Sequence, residues 1–231
     1  MPAYPRALLN GVFLALLGGT VLSLAAKHAH GDPLLVPGYR AIAASVHAQP
    51  QWLGLKREIT SANALPRQWL ALLGPAARKQ PLEQLVAVND YFNQFRYASD
   101  QELYGVRDHW ASPAEFTARG AGDCEDYALA KYAALRALGW PSAALRVVVL
   151  RDREDHVDHA VLAAKVGTIW RLLDNRAQRL LTWSEVPQYQ PIYAVEDRGL
   201  TVFVQAPDGP QETEILEAAA QPDRRKGAGK G

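Results

Sequence analysis

The sequence predicts an α+β protein built around one medium-sized domain. Segments with helical periodicity occupy the first part of the chain, up to Trp140, and short β-branched and aromatic segments follow. A run of helices followed by a run of antiparallel strands is typical of the α+β class. The chain has 231 residues and is 48% hydrophobic, which is enough for a real core. A net charge of +1 excludes a bulk electrostatic attraction to nucleic acid, and six tryptophans argue against global disorder.

The predicted helices carry recognisable start and stop signals. They cover 51–59, 67–74, 81–95, a short segment after Ser112 and a longer one after Cys124. Ser112 and Glu115 form a capping box, and Gly120 or Gly122 ends that short helix. Behind Cys124, one helical face is apolar, and Gly139 ends the helix. The members of that face are Ala128, Tyr132, Leu135 and Leu138.

The second half of the chain changes to the two-residue period of strands. The predicted strands cover 145–150, 159–166, 168–174, 191–197 and 200–205. Residues 27–50, which are rich in Ala, His, Gly and Pro, are interpreted as a linker and loop. A hairpin that turns at Val166-Gly167 would place His159 directly across from Asp174, with Cβ atoms about 5 Å apart.

The two ends of the chain are predicted to lie outside the domain, which covers 31–210. Arg6 precedes an uncharged apolar run over residues 7–26, so residues 1–30 are predicted to be a signal peptide or an N-terminal membrane anchor. Cleavage after Ala25 or Ala26 would fit the small residues there. This segment predicts export, with retention at the membrane if it stays attached. Residues 211–231 are predicted to be a flexible basic tail.

The single cysteine of the chain, Cys124, is the candidate nucleophile. It stands at the start of a helix, where free N–H groups and a partial positive charge favour a thiolate and can receive an oxyanion. A buried inert thiol is the alternative. Such a thiol rarely has three carboxylates beside it, as Cys124 has in Asp123, Glu125 and Asp126. The pattern therefore favours catalysis.

A cysteine nucleophile needs a base, and His159 is the best placed of six histidines. It begins a predicted strand, whereas His156 sits in a charged loop. Asp174 would orient the imidazole as the third member of a triad. A role as a simple turn residue remains open for Asp174.

The acids beside Cys124 raise a second possibility. Asp123, Glu125 and Asp126 form a hard-oxygen cluster suited to Ca²⁺, although their spacing does not match an EF-hand loop. Alternatively, the carboxylates of Glu125 and Asp126 only complement the positive end of the helix dipole. From the residues alone, the metal site stays open.

The block "GDCEDYALAKY", with "DHAVLAAK" and "WRLLDN" after it, resembles the bacterial transglutaminase-like cysteine proteinases over about residues 50–200. The resemblance implies a papain/transglutaminase-like fold with the nucleophile at a helix start packed on an antiparallel sheet. It also implies Cys124, His159 and Asp174 as the catalytic triad. Calcium would bind Asp123 and Glu125, with Asp126 a less certain ligand.

The same resemblance implies a periplasmic location, with retention at the inner membrane if the N-terminal segment stays attached, and a biological role. The expected substrate is a large cell-surface biofilm adhesin, cut in its N-terminal region to promote dispersal. The expected partner is an inner-membrane cyclic-di-GMP receptor that sequesters the protease. Two alternatives stay open: a transglutaminase-type acyl transferase, which would use the same triad with an amine acceptor, and a non-enzymatic calcium-responsive binding module.

Overall fold

A computed structural model of the chain describes residues 36–45, 47, 49–60, 65–197 and 199–206. The predicted export segment, residues 1–30, and the predicted basic tail, residues 211–231, lie outside this part of the chain. Among the described residues, the helices are too short or too polar to span a bilayer.

A six-stranded antiparallel sheet forms one layer of the fold. In chain order the strands are β1 (Tyr39–Ala44), β2 (Arg96–Tyr97), β3 (Ala121–Gly122), β4 (Leu145–Asp152), β5 (Val157–Val166), β6 (Ile169–Leu173), β7 (Tyr189–Glu196) and β8 (Gly199–Gln205). The main sheet has the order β1-β8-β7-β4-β5-β6, and β2 and β3 form a separate parallel ribbon. The five predicted strands are confirmed as β4 to β8.

The interpretation of residues 27–50 as linker and loop is wrong for residues 39–44. These residues form β1 and pair with β8 at the edge of the sheet. Most of β1 is exposed, so its sequence, YRAIAA, lacks the alternation of apolar and polar residues that marks a half-buried strand. Pairing with β8, which is remote in sequence, decides its conformation.

Helices cover the other layer. They are α1 (Pro50–Thr60), α2 (Leu70–Ala76), α3 (Pro81–Phe92), α4 (Asp100–Leu103), α5 (Pro113–Arg119) and α6 (Cys124–Ala137). The predicted start signals of α3, α5 and α6 are confirmed. Gly120 ends α5 with a φ of 63°, a left-handed conformation that glycine adopts without strain.

Helix α6 lies at the centre of the fold. It packs on β5 and β4 of the sheet and is flanked by α1, α3 and α5. Its residues from Cys124 to Leu135 are all buried, on both faces. A helix buried all round belongs to the interior, so the apolar face predicted from the sequence is only part of the surface that α6 buries.

The short ribbon of β2 and β3 brings two distant segments together in front of α6. Arg96 pairs with Ala121, and the Ala98 N–H donates to the Gly122 carbonyl at 2.9 Å. A Cβ at Gly122 would lie 2.4 Å from an Asp126 carboxylate oxygen, so only glycine fits there. The residues after Tyr97 therefore lie beside those that precede Cys124.

The β5–β6 hairpin exists, but its predicted register is wrong. Lys165 pairs with Trp170, and the turn consists of Gly167 and Thr168. Gly167 has a φ of 61° at the first turn position, as a type II′ turn requires. The pairing therefore moves by two residues relative to the prediction. A shift of two keeps every side chain on the same face of the sheet, so His159 and Asp174 still share a face.

Candidate active site

Cys124 is the first residue of α6, as predicted. Asp123 precedes it as the N-cap in an extended conformation, and the Asp123 N–H donates to Asp126 Oδ2 at 3.3 Å. The cysteine is 9% exposed, and it is the only free thiol of the chain. A nearly buried thiol at a helix start lies where the free N–H groups of the first turn can face a reacting carbonyl.

The surroundings of Cys124 keep the thiol protonated in this state. Burial raises the pKa of the thiol well above its ordinary value, and the carboxylates of Glu125 and Asp123 raise it further. The thiol donates to Glu125 Oε2 at 2.8 Å, while the backbone N–H of Ala160 bonds the sulfur and lowers the pKa. Activation of the thiol therefore requires that the negative charge nearby be offset.

His159 and Asp174 make direct contact, as predicted. His159 Nε2 lies 2.9 Å from Asp174 Oδ1, and both side chains are fully buried. His159 Nδ1 is buried without a hydrogen-bond partner. The backbone N–H of Ala160 bonds the Cys124 sulfur, so His159, the residue before Ala160, is close to the thiol in space. An imidazole tied to a carboxylate through one nitrogen keeps the other available for proton transfer.

Two further groups hold the Asp174 carboxylate. The backbone N–H of Arg176 donates to Oδ1 at 2.8 Å, and the Tyr189 hydroxyl donates to Oδ2 at 2.7 Å. Burial disfavours the Asp174 carboxylate, but the charge of His159 and these hydrogen bonds outweigh it and lower the pKa of Asp174. Asp174 is therefore an ionised carboxylate that bonds His159, Arg176 and Tyr189, and these contacts go beyond those of a simple turn residue.

Sequence reasoning missed Tyr189. This tyrosine begins β7, and its ring lies edge-on to the His159 ring with centroids 5.7 Å apart. It is one aromatic residue among several in the strands, so nothing in its local pattern marked it. Its contact with Asp174 exists only in the folded chain, where the Tyr189 side chain reaches across the sheet to the residue that follows β6.

Three carboxylates converge beside Cys124. Oxygen atoms of Asp100, Asp123 and Asp126 lie within 4.8 Å of one another. Backbone N–H groups satisfy part of this cluster: His109 donates to Asp100 Oδ2 at 2.5 Å and Ala111 to Asp126 Oδ1 at 2.7 Å. Asp100 Oδ1 and Asp123 Oδ1 are buried without a partner.

The electrostatics of this acidic cluster favour a bound cation. Burial raises the pKa of Asp100 to about 6, against the effect of the His109 N–H, and the neighbouring carboxylates add to it. Burial and mutual repulsion also raise the pKa of Asp123 and Asp126 far above the ordinary range. Buried carboxylates so close together cannot all be ionised alone. Two unpartnered oxygens in an all-carboxylate set fit a hard divalent cation such as Ca²⁺.

The predicted metal ligands are thus brought together only in part. Asp123 and Asp126 lie in the cluster, whereas the Glu125 carboxylate bonds the Cys124 thiol and adjoins Asp123. Asp100 is the member that sequence reasoning missed, because it is remote from the other acids in sequence. Ser99 caps its helix, and the β2–β3 ribbon carries it to the cluster.

Trp110 and two other histidines of this region have their own surroundings in the fold. Trp110 lies in the hydrophobic core, 5% exposed. His109 stands 3.7 Å from Glu115, and His156 is exposed in the turn before β5, with a φ of 56°. Within the described chain, His159 is therefore the histidine that lies next to the candidate nucleophile.

A cysteine at a helix start, packed on a sheet beside a buried His–Asp pair, is an arrangement typical of cysteine hydrolases. Comparison with known families agrees. The family model of the bacterial transglutaminase-like cysteine proteinases matches residues 68–200, which include all three candidate catalytic residues. The chain belongs to this family and has its α+β fold. Among curated proteins, no relative matches the chain.

Solved structures of LapG from Legionella pneumophila are similar to this chain. One LapG structure is 30% identical, with a TM-score of 0.53, over 70% of this chain and 91% of LapG. Calcium-bound LapG is 27% identical, with a TM-score of 0.54, over 72% of this chain and 99% of LapG. EGTA-treated LapG is 29% identical, with a TM-score of 0.55, over 70% and 91%. The protein is therefore a LapG-like cysteine proteinase by family and fold.

Proposed function

We propose that this protein is a calcium-dependent periplasmic cysteine endopeptidase that uses Cys124, His159 and Asp174. The observation that carries the proposal is the buried contact of 2.9 Å between His159 Nε2 and Asp174 Oδ1, beside the helix that begins with Cys124. Membership of a cysteine proteinase family supports the same assignment.

Each of the three side chains has its own role in peptide hydrolysis. Nε2–H of His159 donates to Asp174, which leaves the lone pair on Nδ1 to take the Cys124 proton. The thiolate attacks the scissile carbonyl carbon, and N–H groups at the start of α6 stabilise the oxyanion. The imidazolium returns its proton to the leaving amine. Water then attacks the thioester, gives its proton to Nδ1 and releases the acid and the free thiol.

Calcium fits the acidic cluster beside the nucleophile. Asp100, Asp123 and Asp126 would hold it, with the nearby carboxylate of Glu125 as a further ligand. A bound dication would offset the negative charge that raises the pKa of the Cys124 thiol. Calcium-bound and EGTA-treated forms of LapG support this metal by similarity.

The family and the N-terminal sequence support proposals for the substrate, the partner and the location. We propose a large cell-surface biofilm adhesin as the substrate, cleaved in its N-terminal region so that it is released and the biofilm disperses. An inner-membrane cyclic-di-GMP receptor would sequester the protease. The apolar run over residues 7–26 after Arg6 supports export to the periplasm.

Cleavage of an adhesin N-terminal fragment tests the proposal. The purified protein is incubated with the fragment in calcium, in a chelator, and as Cys124→Ala in calcium. Two fragments in the first sample and none in the others support a calcium-dependent thiol protease. Cleavage by Cys124→Ala would refute the thiol mechanism, and cleavage in the chelator would refute the calcium requirement.

The same reaction separates hydrolysis from acyl transfer. A primary amine is added to the calcium sample, and the products are weighed by mass spectrometry. Hydrolysis predicts two fragments whose masses add up to the mass of the substrate plus one water. Fragments or intact substrate carrying the added amine would favour the transglutaminase-type alternative.

A further inference from the structure

The turn of residues 174–177 sets the direction of the Asp174 carboxylate. The Ala177 N–H donates to the Asp174 carbonyl at 3.4 Å, so Asp174 opens a four-residue turn. The carboxylate itself accepts the backbone N–H of Arg176 at 2.8 Å, two residues further along the chain. The same oxygen, Oδ1, faces His159 Nε2 at 2.9 Å. A change in the backbone of this turn would therefore move the carboxylate relative to the imidazole.

The side chain of Asn93 joins the two ends of this turn. Its amide nitrogen donates to the Asp174 carbonyl and to the Ala177 carbonyl, each at 2.9 Å. An amide NH₂ group has two hydrogens, so it can give one to each carbonyl. The amide oxygen, Asn93 Oδ1, is buried without a hydrogen-bond partner in the described part of the chain. All the hydrogen bonds that this side chain makes there go to the turn.

Asn93 has a firm base in the core. It is the C-cap of α3 and directly follows Phe92, whose fully buried ring packs edge-on against Trp69 with centroids 4.8 Å apart. Packing of this kind fixes the position of a side chain in a close-packed interior. The end of α3 is therefore a fixed point from which Asn93 holds the turn.

Asn89, one helical turn earlier on α3, supports the same segment. Its amide donates to the Ala177 carbonyl at 3.2 Å, and its Oδ1 accepts from Lys131 Nζ at 2.9 Å. Asn89 thus bonds the far end of the turn, whereas Asn93 also bonds Asp174 itself. Of the two asparagines, Asn93 is the one with a direct hydrogen bond to the candidate triad.

We propose that Asn93 is a positioning residue that acts through Asp174. It ties the first and last residues of the turn to the end of α3 and so holds the Asp174 carboxylate toward His159 Nε2. This inference rests on the proposed function, because it assigns Asn93 to the same triad.

Loss of the Asn93 amide should affect the chemical step more than substrate binding. The imidazolium of His159 forms during the reaction, so the position of the Asp174 carboxylate matters most in the transition state. A small displacement of a group in a catalytic site lowers the rate on the order of 10-fold to 100-fold. Asn93→Ala should therefore lower kcat by that factor and change KM less than about 2-fold.

Gln84→Ala is the matched control on the same helix. The Gln84 amide also makes two hydrogen bonds, donating to the Lys79 carbonyl at 3.2 Å and accepting from Trp140 Nε1 at 2.6 Å. Both contacts lie outside the triad. With an adhesin N-terminal fragment in saturating calcium, Gln84→Ala should keep kcat and Asn93→Ala should lose it. A wild-type kcat in Asn93→Ala, or equal losses in the two variants, would overturn the inference.

Proton NMR tests the same contact without a substrate. A ring N–H that donates to a buried carboxylate exchanges slowly with water and resonates far downfield, and His159→Ala identifies which signal belongs to His159. This signal should shift or broaden in Asn93→Ala and stay in place in Gln84→Ala. An unchanged signal in Asn93→Ala would overturn the inference, as would the absence of a His159 signal from the wild-type protein.

A second variant covers the case in which Asn93→Ala does not fold. Asn93→Asp keeps the shape of the side chain but replaces the donor by an acceptor that faces two carbonyls, so it should move the NMR signal and lower kcat in the same way. Failure of both variants to fold would give Asn93 a purely structural role and would overturn the inference. Wild-type protein that does not cleave the fragment would instead refute the proposed function, whatever the NMR signals of the variants show.

Discussion

Tyr189→Phe isolates one hydrogen bond of the candidate triad. The substitution removes the hydroxyl that donates to Asp174 Oδ2 at 2.7 Å and keeps the ring that packs against His159. Asp174 is 0% exposed, so solvent cannot replace the lost donor. A hydrogen bond to a buried charged group contributes roughly 1.5–3 kcal/mol. The free energy of unfolding should fall by about that amount.

Activity should fall as well, because Asp174 loses a donor that holds its carboxylate toward His159. If about half of the hydrogen-bond energy is lost from the transition state, kcat/KM falls on the order of 10-fold. Urea unfolding followed by tryptophan fluorescence gives the stability, and cleavage of an adhesin fragment gives kcat/KM. Both are measured in saturating calcium.

Tyr132→Phe is the matched control. The Tyr132 hydroxyl donates to Asp197 Oδ1 at 2.6 Å, and Asp197 also lies 3.5 Å from Arg136. This control also removes a tyrosine–aspartate hydrogen bond, but it lies away from the triad. It should lose stability and keep its activity. Equal losses of activity in the two variants, or an unchanged stability in Tyr189→Phe, would refute the role assigned to Tyr189.

Three further predictions follow from the site. Cys124→Ala should abolish cleavage and leave the melting temperature in calcium within a few degrees of wild type; residual cleavage would contradict the assignment of the nucleophile. The lowered pKa of Asp174 contributes stability that is present above about pH 4, the unfolded value, and is lost as the pH falls toward the folded value. Asp174→Asn should therefore lose less stability than wild type between pH 5 and pH 3 in urea titrations, and equal losses would count against the His159–Asp174 pair. Gly122→Ala places a Cβ against Asp126 Oδ2 and should weaken calcium binding at least 10-fold, as measured by isothermal titration. The free energy of unfolding in chelator should fall by about 1–3 kcal/mol. An unchanged calcium affinity would show that Gly122 does not shape the metal site.

The sequence predicted the elements with local signals and missed those that depend on distant contacts. Pro81, the Ser112 capping box and Gly139 are local signals that the sequence itself contains, so α3, α5 and α6 lie where the sequence predicts them. The short helix α4 (Asp100–Leu103) is not among the predicted helices. Strand β1 lacks alternation and is fixed only by β8, so its local sequence predicts a loop. The register of the β5–β6 hairpin depends on whether the turn is Val166-Gly167 or Gly167-Thr168, and the local sequence does not distinguish the two.

The site shows the same division. Cys124 was marked by its helix start, and His159 with Asp174 by a hairpin whose register error of two residues preserved their shared face. Asp100 comes from a segment that the β2–β3 ribbon brings to the acidic cluster, and no spacing in the sequence records that pairing. Tyr189 was missed for the same reason.

Alkylation of the single thiol tests most directly whether Cys124 and His159 act as nucleophile and base. The rate of modification of Cys124 by iodoacetamide is measured near neutral pH in calcium for the wild-type protein and for His159→Ala. Rapid modification of the wild type and at least 10-fold slower modification of His159→Ala are expected, because the imidazole accepts the thiol proton. Equal rates in the two proteins would show that His159 does not activate Cys124 and would contradict the proposed mechanism.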